Sequence, residues 1–444
     1  MIKYIRFIVL ILLTVTAFSV NAQTNNTTTA TTSSPYSRYG IGDITPIALP
    51  QNIAMGGIGV ATNNIAGFNT LNPLNPASYS ALRLTVIDIG LSSSINTLSK
   101  VGFNNQTNTT FKLNHIAFGI PVSKKSALSF GLTPYSELGY NYRQVLPNGF
   151  GTGLPADTNA VNYLYSGNGG ITKLYLGYGF GIGKHLTLGA NVSYLFGNLQ
   201  QTQSTEIPTL FANLNSRIEE SNSIKGLNYD YGAQYTVDFS ARKHLVFGYS
   251  GAANTKLTSQ NSYVVSSYFS DADGNPDIPT DSLVNRQDPK SKIQLPMINR
   301  FGISYQYDGK FLVGADYTIG NWSKLTIAGV NKGLQDSKTL NIGGQYTPNI
   351  GSLSSYFASV DYRLGAIFDQ TYIVANNTSI KRYAATFGLG LPLRPSTSSF
   401  YKINLAAEVG KRGTIANGLV RESYVNIHLS FTLNDKWFQK YKFD

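Results

Sequence analysis

The 444-residue chain has no cysteine, and it contains only three methionines, two tryptophans and four histidines. The absence of cysteine excludes a disulfide scaffold, a thiolate nucleophile, an iron–sulfur or zinc-ribbon site and lipidation of an N-terminal cysteine. Charge is scarce as well. Asp, Glu, Lys and Arg supply 13% of the residues, about half the roughly 25% usual for soluble domains, which argues against an ordinary cytosolic enzyme. Past the N-terminus no stretch of about 18 apolar residues occurs, so membrane helices are missing too. What the chain does have is glycine (43), tyrosine (29) and an excess of basic residues that gives +12. The length alone suggests roughly three domains at about 150 residues each, but all-β barrels exceed that spacing.

A net charge of this sign fits nucleic acid, but the N-terminus points elsewhere. Lys3 and Arg6 precede an apolar run from Phe7 to Phe18, and Val20-Asn21-Ala22 offers a small-residue cleavage site. Residues 1–22 thus have the three parts of a secretory signal peptide, the alternative being an N-terminal anchor helix. Residues 23–34 are nearly all Thr, Asn, Ser and Gln and predict a disordered leader. An exported chain has no access to nucleic acid. The address expected is the outer membrane of a Gram-negative bacterium, with its lipid as the surroundings.

From about Arg83 onward the dominant signal has period two. Leu186, Leu188, Ala190, Val192, Tyr194 and Phe196 oppose Thr187, Gly189, Asn191 and Ser193. Phe311, Val313, Ala315, Tyr317 and Ile319 oppose Leu312, Gly314, Asp316 and Thr318, and 401–409 and 425–433 repeat the pattern. A soluble sandwich alternates as well, so two further features are needed. Mid-strand charges (Arg300, Asp316, Asp361, Arg363, Arg382, Lys402, Glu408) occupy one face, whereas Tyr and Phe gather near strand ends on the other. That is the polar lumen and aromatic girdle of a membrane barrel.

The pattern predicts about fourteen strands, near 83–97, 109–122, 126–142, 170–183, 185–199, 224–240, 244–258, 298–308, 311–321, 337–347, 355–367, 380–391, 399–411 and 422–433. Tight turns at 123–125, 183–184, 241–243 and 308–310 alternate with long links at 143–169, 200–223 and 259–297. Short periplasmic turns, long external loops and an even strand count are the plan of an outer-membrane barrel, whose closure satisfies every backbone group inside lipid. The fold expected is an all-β transmembrane antiparallel barrel over 82–433, followed by a periplasmic tail at 434–444.

Residues 35–81 are too many for a simple lead-in. Glycine and proline punctuate them, yet they are moderately apolar, so they should be ordered without being regular. Such a segment can fold into the lumen as a hatch that plugs it, or pack beneath the barrel as a flap. Met55-Gly56-Gly57-Ile58-Gly59-Val60-Ala61, followed by Asn75-Pro76-Ala77, resembles the N-terminal hatch of the FadL/TodX family of long-chain fatty-acid transporters. Phe301–Tyr307, Phe311–Tyr317 and Asn321-Trp322-Ser323 are similar to consecutive strands of that family ending in a Trp-Ser pair. Leu340–Tyr346 and Tyr362–Ala366 resemble its next two. The likeness spans most of 50–433. Ser34–Asp43, the leader and the tail through Asn434–Asp444 depart from it and point to a divergent branch, in which members also serve as subunits of larger outer-membrane machines.

The resemblance implies passive, non-enzymatic uptake of small hydrophobic compounds, with Gly56, Gly57, Gly59, Asn75, Pro76 and Ala77 as the hatch motif. The alternative is a sealed barrel that is a structural or interaction subunit of an outer-membrane secretion or assembly complex, with outer-membrane or periplasmic protein partners. Arg300, Asp316, Arg363, Arg382 and Glu408 are expected to pair with one another or hold the hatch, because unpaired buried charge is costly. No spaced catalytic set accompanies His115, His185, His244 and His428, and no cofactor is expected. Asp271, Asp273, Asn275 and Asp277 place oxygens at alternate positions, a weak candidate for Ca²⁺ beside the plainer reading of a solvated acidic turn. Ile207, Leu210, Phe211 and Leu214 recur at helical spacing and predict a short helix over 207–222 in an external loop.

Overall fold

The computed structural model describes residues 32–63, 70–147, 159–208, 214–270, 281–352, 354–393 and 399–437. Fourteen antiparallel strands close into a barrel. They are β1 (Thr85–Ser99), β2 (Gln106–Ser123), β3 (Ser126–Leu146), β4 (Val161–Ile182), β5 (Leu186–Glu206), β6 (Asn215–Ser240) and β7 (Lys243–Ala252). The second half comprises β8 (Ile298–Tyr307), β9 (Phe311–Gly320), β10 (Ser337–Tyr346), β11 (Asp361–Ala375), β12 (Thr378–Pro392), β13 (Phe400–Gly413) and β14 (Arg421–Asp435). Each strand pairs with the next, and β14 returns to β1 in a ladder from Thr85↔Asp435 to Ser99↔Arg421. Among the described residues no helix is long and apolar enough to cross a membrane.

The two faces sort as alternation demands. On β9, Val313 (54%) and Tyr317 (39%) are exposed to the outside while Leu312 and Asp316 are buried inside. Aromatic pairs such as Tyr178–Phe180, Tyr194–Phe196 and Tyr249–Phe301 lie on the outer face. This is the inverse of a soluble protein: the outside is apolar, and the polar residues are inside.

Three expectations need correction. The run 244–258 is two strands, because the chain breaks after Ala252 and resumes as Lys256–Tyr268, which pairs with the upper half of β6. Much of the expected long links at 143–169 and 200–223 is strand: β3 to β6 run 21, 22, 21 and 26 residues. About 9–11 residues suffice to cross the bilayer, so these strands continue well past it as a wall. Finally, residues 215–222 are part of β6 rather than a helix; Leu210 and Phe211 lie outside the described residues. Helical spacing lost there to ladder pairing with β5 and with Lys256–Tyr268. Further external strands, Asp281–Gln287 and Ser291–Gln294, extend this wall within the supposed loop at 259–297. Asp271–Asp277, residues 1–31 and residues 438–444 lie outside the described residues, and with them the Ca²⁺ candidate, the signal peptide and most of the tail.

Candidate functional site

The N-terminal segment runs inside the barrel from its external end to its periplasmic end. Pro35 starts a short 3₁₀ turn, fixed in φ and needing no N–H, and the Ser34 hydroxyl accepts from Tyr36 N at 3.2 Å. That turn is tied to the external rim: Ser34 Oγ donates to Glu422 (2.5 Å), and Tyr36 OH donates to Val420 O (2.5 Å). Burial, reinforced by the charge of Glu422, pushes the Tyr36 hydroxyl up to about 12, so it stays a neutral donor. Asp43–Ile44 then pairs with Glu137 and Ser136 of β3. The remaining aromatic and aliphatic residues of this stretch form a roof with the external loops. Tyr36 and Ile41 pack in one apolar cluster with Leu257, Leu295, Trp322 and Tyr372. Trp322 stacks on Tyr372 at 4.7 Å, and Tyr372 OH donates to Gly42 O at 2.7 Å. Tyr372→Phe should therefore lower the unfolding free energy by about 1 kcal/mol while leaving the stack intact, measurable as a small fall in thermal midpoint.

Lower down, the Gly-rich and Asn-Pro-Ala stretches meet. Gly56 and Gly57 adopt φ +72 and +80, which a β-carbon would strain. That turn presents backbone N–H groups to the wall. Asp316 accepts from Gly59 N (2.6 Å) and Val60 N (2.8 Å), and Thr386 accepts from Gly56 N (2.7 Å). Asn341 donates to Gly56 O, Gln234 to Val60 O and Ser304 to Ala61 O. Asn75 ties the two stretches together. Its side chain caps the 3₁₀ helix Pro76–Ala81 by accepting from Ala77 N and donates to Val60 O at 2.7 Å.

The wall answers this course with glycines that sequence reading passed over. A β-carbon at Gly388 would overlap Ala54, at Gly365 Gly56, at Gly343 Met55, at Gly248 Val60, at Gly232 Asn75 and at Gly189 Pro76. The segment therefore follows the inner wall through β12, β11, β10, β7, β6 and β5, and its backbone, or the side chain of Ala54 or Asn75, comes against the wall where glycine permits it. The available signal was glycine recurring at lumen-facing parity in successive strands.

Of the lumen charges expected to pair, Arg382 meets Glu408 (3.7 Å) and Asp369 (3.2 Å), and Asp316 holds the segment as above. Arg363 is not near them. It bonds Asp361 (2.9 Å), Gln345 (2.7 Å) and Asn404 (2.8 Å), and Lys402 reaches the same Asp361 oxygen at 2.7 Å. Arg300 lines the central cavity, as do Asp230 and Asp316. That cavity measures 370 Å³, and Lys112, Glu137, Asp230, Arg382, Glu408 and Arg412 are among its walls. Arg412 also grips Asp43 of the segment at 2.6 Å.

The wall itself is incomplete at one place. β2 pairs with β3 only from Ile116↔Leu132 down to Ser123↔Ser126. Above that, the β3 edge is taken up by the segment, through Asp43, Ile44, Thr45 and Ser37, while Gln106–His115 of β2 pairs with β1 alone. Lys112 of β2 spans this seam to Glu137 of β3 as an ion pair.

The histidines do not assemble a site. His115 is buried against Asp88 (2.6 Å), and His428 lines the cavity. His185 and His244 sit at periplasmic turns near Asp238. Among the described residues no group of His, Asp and Glu is arranged to hold a metal ion. The basic turn residues Lys124, Lys125, Arg242 and Lys243 are exposed, with Lys243 5.8 Å over the Tyr307 ring as an interfacial anchor.

A model of the family described as BamG matches residues 1–444. No curated protein sequence matches the chain. Among solved structures, a Pseudomonas aeruginosa FadL homologue superposes with a TM-score of 0.54 at 13% identity, covering 90% of this chain and 100% of that one. The Ralstonia pickettii toluene transporter TbuX gives 0.54 at 18% identity over 87% and 98%. The Pseudomonas putida toluene transporter TodX gives 0.53 at 14% over 90% and 100%. At these identities the likeness is one of fold, a barrel of the outer-membrane type.

Proposed function

This chain belongs to the BamG family, and from that premise we propose that it is a sealed outer-membrane barrel acting as a structural subunit of a secretion or assembly complex. The observation that carries this reading is the filling of the lumen. The segment lies against wall glycines with its backbone groups bonded to lumen side chains, and an apolar roof lies above it. What space is left is lined by charged residues as well as by apolar ones such as Ile53, Leu74, Ile298 and Ile367. An apolar solute would have to strip water from those charges, a cost that opposes whatever it gains against the apolar walls.

The tall polar wall supports a role in contacts outside the bilayer. The external strand Asp281–Gln287 exposes every residue, Leu283 at 68% among them. Replacing Leu283 and Val284 together by Asp should reduce co-purification of bound proteins several-fold and leave the barrel's heat stability unchanged.

One observation favours the second reading, passive uptake of small hydrophobic compounds. The seam between β2 and β3 adjoins the cavity, and two of the structural neighbours carry the name toluene transporter. Native mass spectrometry of the protein extracted from its own membranes in mild detergent separates the two. Stoichiometric protein partners with no small ligand support the subunit. A mass excess of a few hundred daltons, released as a fatty or aromatic compound, overturns it in favour of uptake.

A further inference from the structure

The free edge of β2 has properties that the sealed barrel leaves unused. Among the described residues, no backbone group bonds the seam side of Gln106–His115; its one ladder is with β1. Part of this edge lies at membrane depth. Phe111 (72% exposed) and Leu113 (51%) face outward in the same row as Val122 at the periplasmic end. The span from Phe111 to Val122, at about 3.3 Å per residue with a tilt of roughly 40°, rises about 28 Å against an apolar band of roughly 25 Å, which places Leu113 within the band and Phe111 at its outer boundary. Backbone N–H and C=O groups facing hydrocarbon are expensive unless paired, and barrels normally avoid the problem by closing. Here the upper part of the β2–β3 ladder is missing because β3 turns that edge to the N-terminal segment instead.

We propose that the seam edge of β2, at Gln106–His115, is a docking site for one extended strand of a partner protein, added antiparallel to it. This rests on the subunit reading and names where one partner attaches. The chemistry of the occupant follows from the two faces it must continue. Phe111 and Leu113 point to lipid, whereas Thr110, Lys112 and Asn114 line the lumen cavity. A strand set beside them needs alternate residues that are apolar toward lipid and polar toward the cavity, with main-chain bonds giving affinity and alternation giving register. A second copy fits poorly. Related by a two-fold axis along the membrane normal, it would offer its own β2 running in the same direction, a parallel pair in an otherwise antiparallel sheet.

The test places photoreactive benzoylphenylalanine at Phe111 or Leu113 of the full-length protein in its own outer membrane. Leu176, which faces outward from β4 between two paired neighbours, is the control, and Leu283 samples the external wall. The expected result is a protein cross-link at Phe111 and Leu113 several-fold above Leu176. Both should map to one segment of one partner, two residues apart and in reversed order, the register of an antiparallel ladder. Lipid adducts alone, attachment to residues of this chain or of a second copy, or scattered attachment without register would each overturn it. If Leu283 captures a protein while β2 captures none, the edge inference falls and the subunit reading stands. If neither position does, both fall.

Discussion

Gly365→Val is expected to turn a silent barrel into a conducting one. Gly365 sits mid-strand in β11, paired with Gly343 on one side and Thr386 on the other, so the wall cannot retreat locally. A β-carbon there overlaps Gly56 N and Met55 C, which are backbone atoms of the segment and not a flexible side-chain tip. The segment must move, and as it moves it loses the bonds of Gly56 to Thr386 and Asn341. Overpacking of this kind costs about 1–3 kcal/mol, and each lost bond adds about 1 kcal/mol, which is enough to populate a displaced segment. Planar-bilayer recordings should show openings absent from the native protein, and cells should become sensitive to large antibiotics. Gly181→Ala is the matched control, because its β-carbon meets neighbours only at ordinary contact distance, 3.7 Å. Stable folding with no conductance would show that the segment is not what closes the lumen.

The same glycines explain how much of the molecule the sequence discloses. Alternation located most of the barrel strands because lipid on one side and polar lumen on the other give each crossing two distinct faces. It faded above the bilayer, where both faces are wet. Gln200-Gln201-Thr202-Gln203-Ser204 has no apolar parity, yet it is the upper part of β5. In 207–222 a few apolar residues at helical spacing outweighed a polar strand for the same reason. The seam was illegible in principle, since β2 reads as one continuous strand and only pairing reveals that its upper part has a neighbour on one side alone. Partners of the lumen charges were partly legible. Asp361 and Arg363 are two apart and so share a face, whereas Lys402 joins them only through the ladders of β11, β12 and β13.

That cluster yields the other large effect, because it is a buried network with a single hub. Asp361 is 1% exposed and accepts from Arg363, Lys402 and Thr347. Asp361→Ala therefore leaves two cations buried without their carboxylate. Removing one partner of a buried ion pair costs about 3–5 kcal/mol, chiefly through the uncompensated charge that remains. The variant should unfold at clearly lower denaturant concentration, and its compact band on unheated gels should weaken. Rescue is expected as well. Asp361→Ala combined with Arg363→Met and Lys402→Met removes both buried cations and fills similar volume, so it should recover most of the loss even though three polar groups are gone. Recovery would identify burial of unpaired charge as the source of the defect. A triple variant as unstable as Asp361→Ala would mean instead that the hydrogen bonds to Gln345, Thr347 and Asn404 were holding this part of the lumen together.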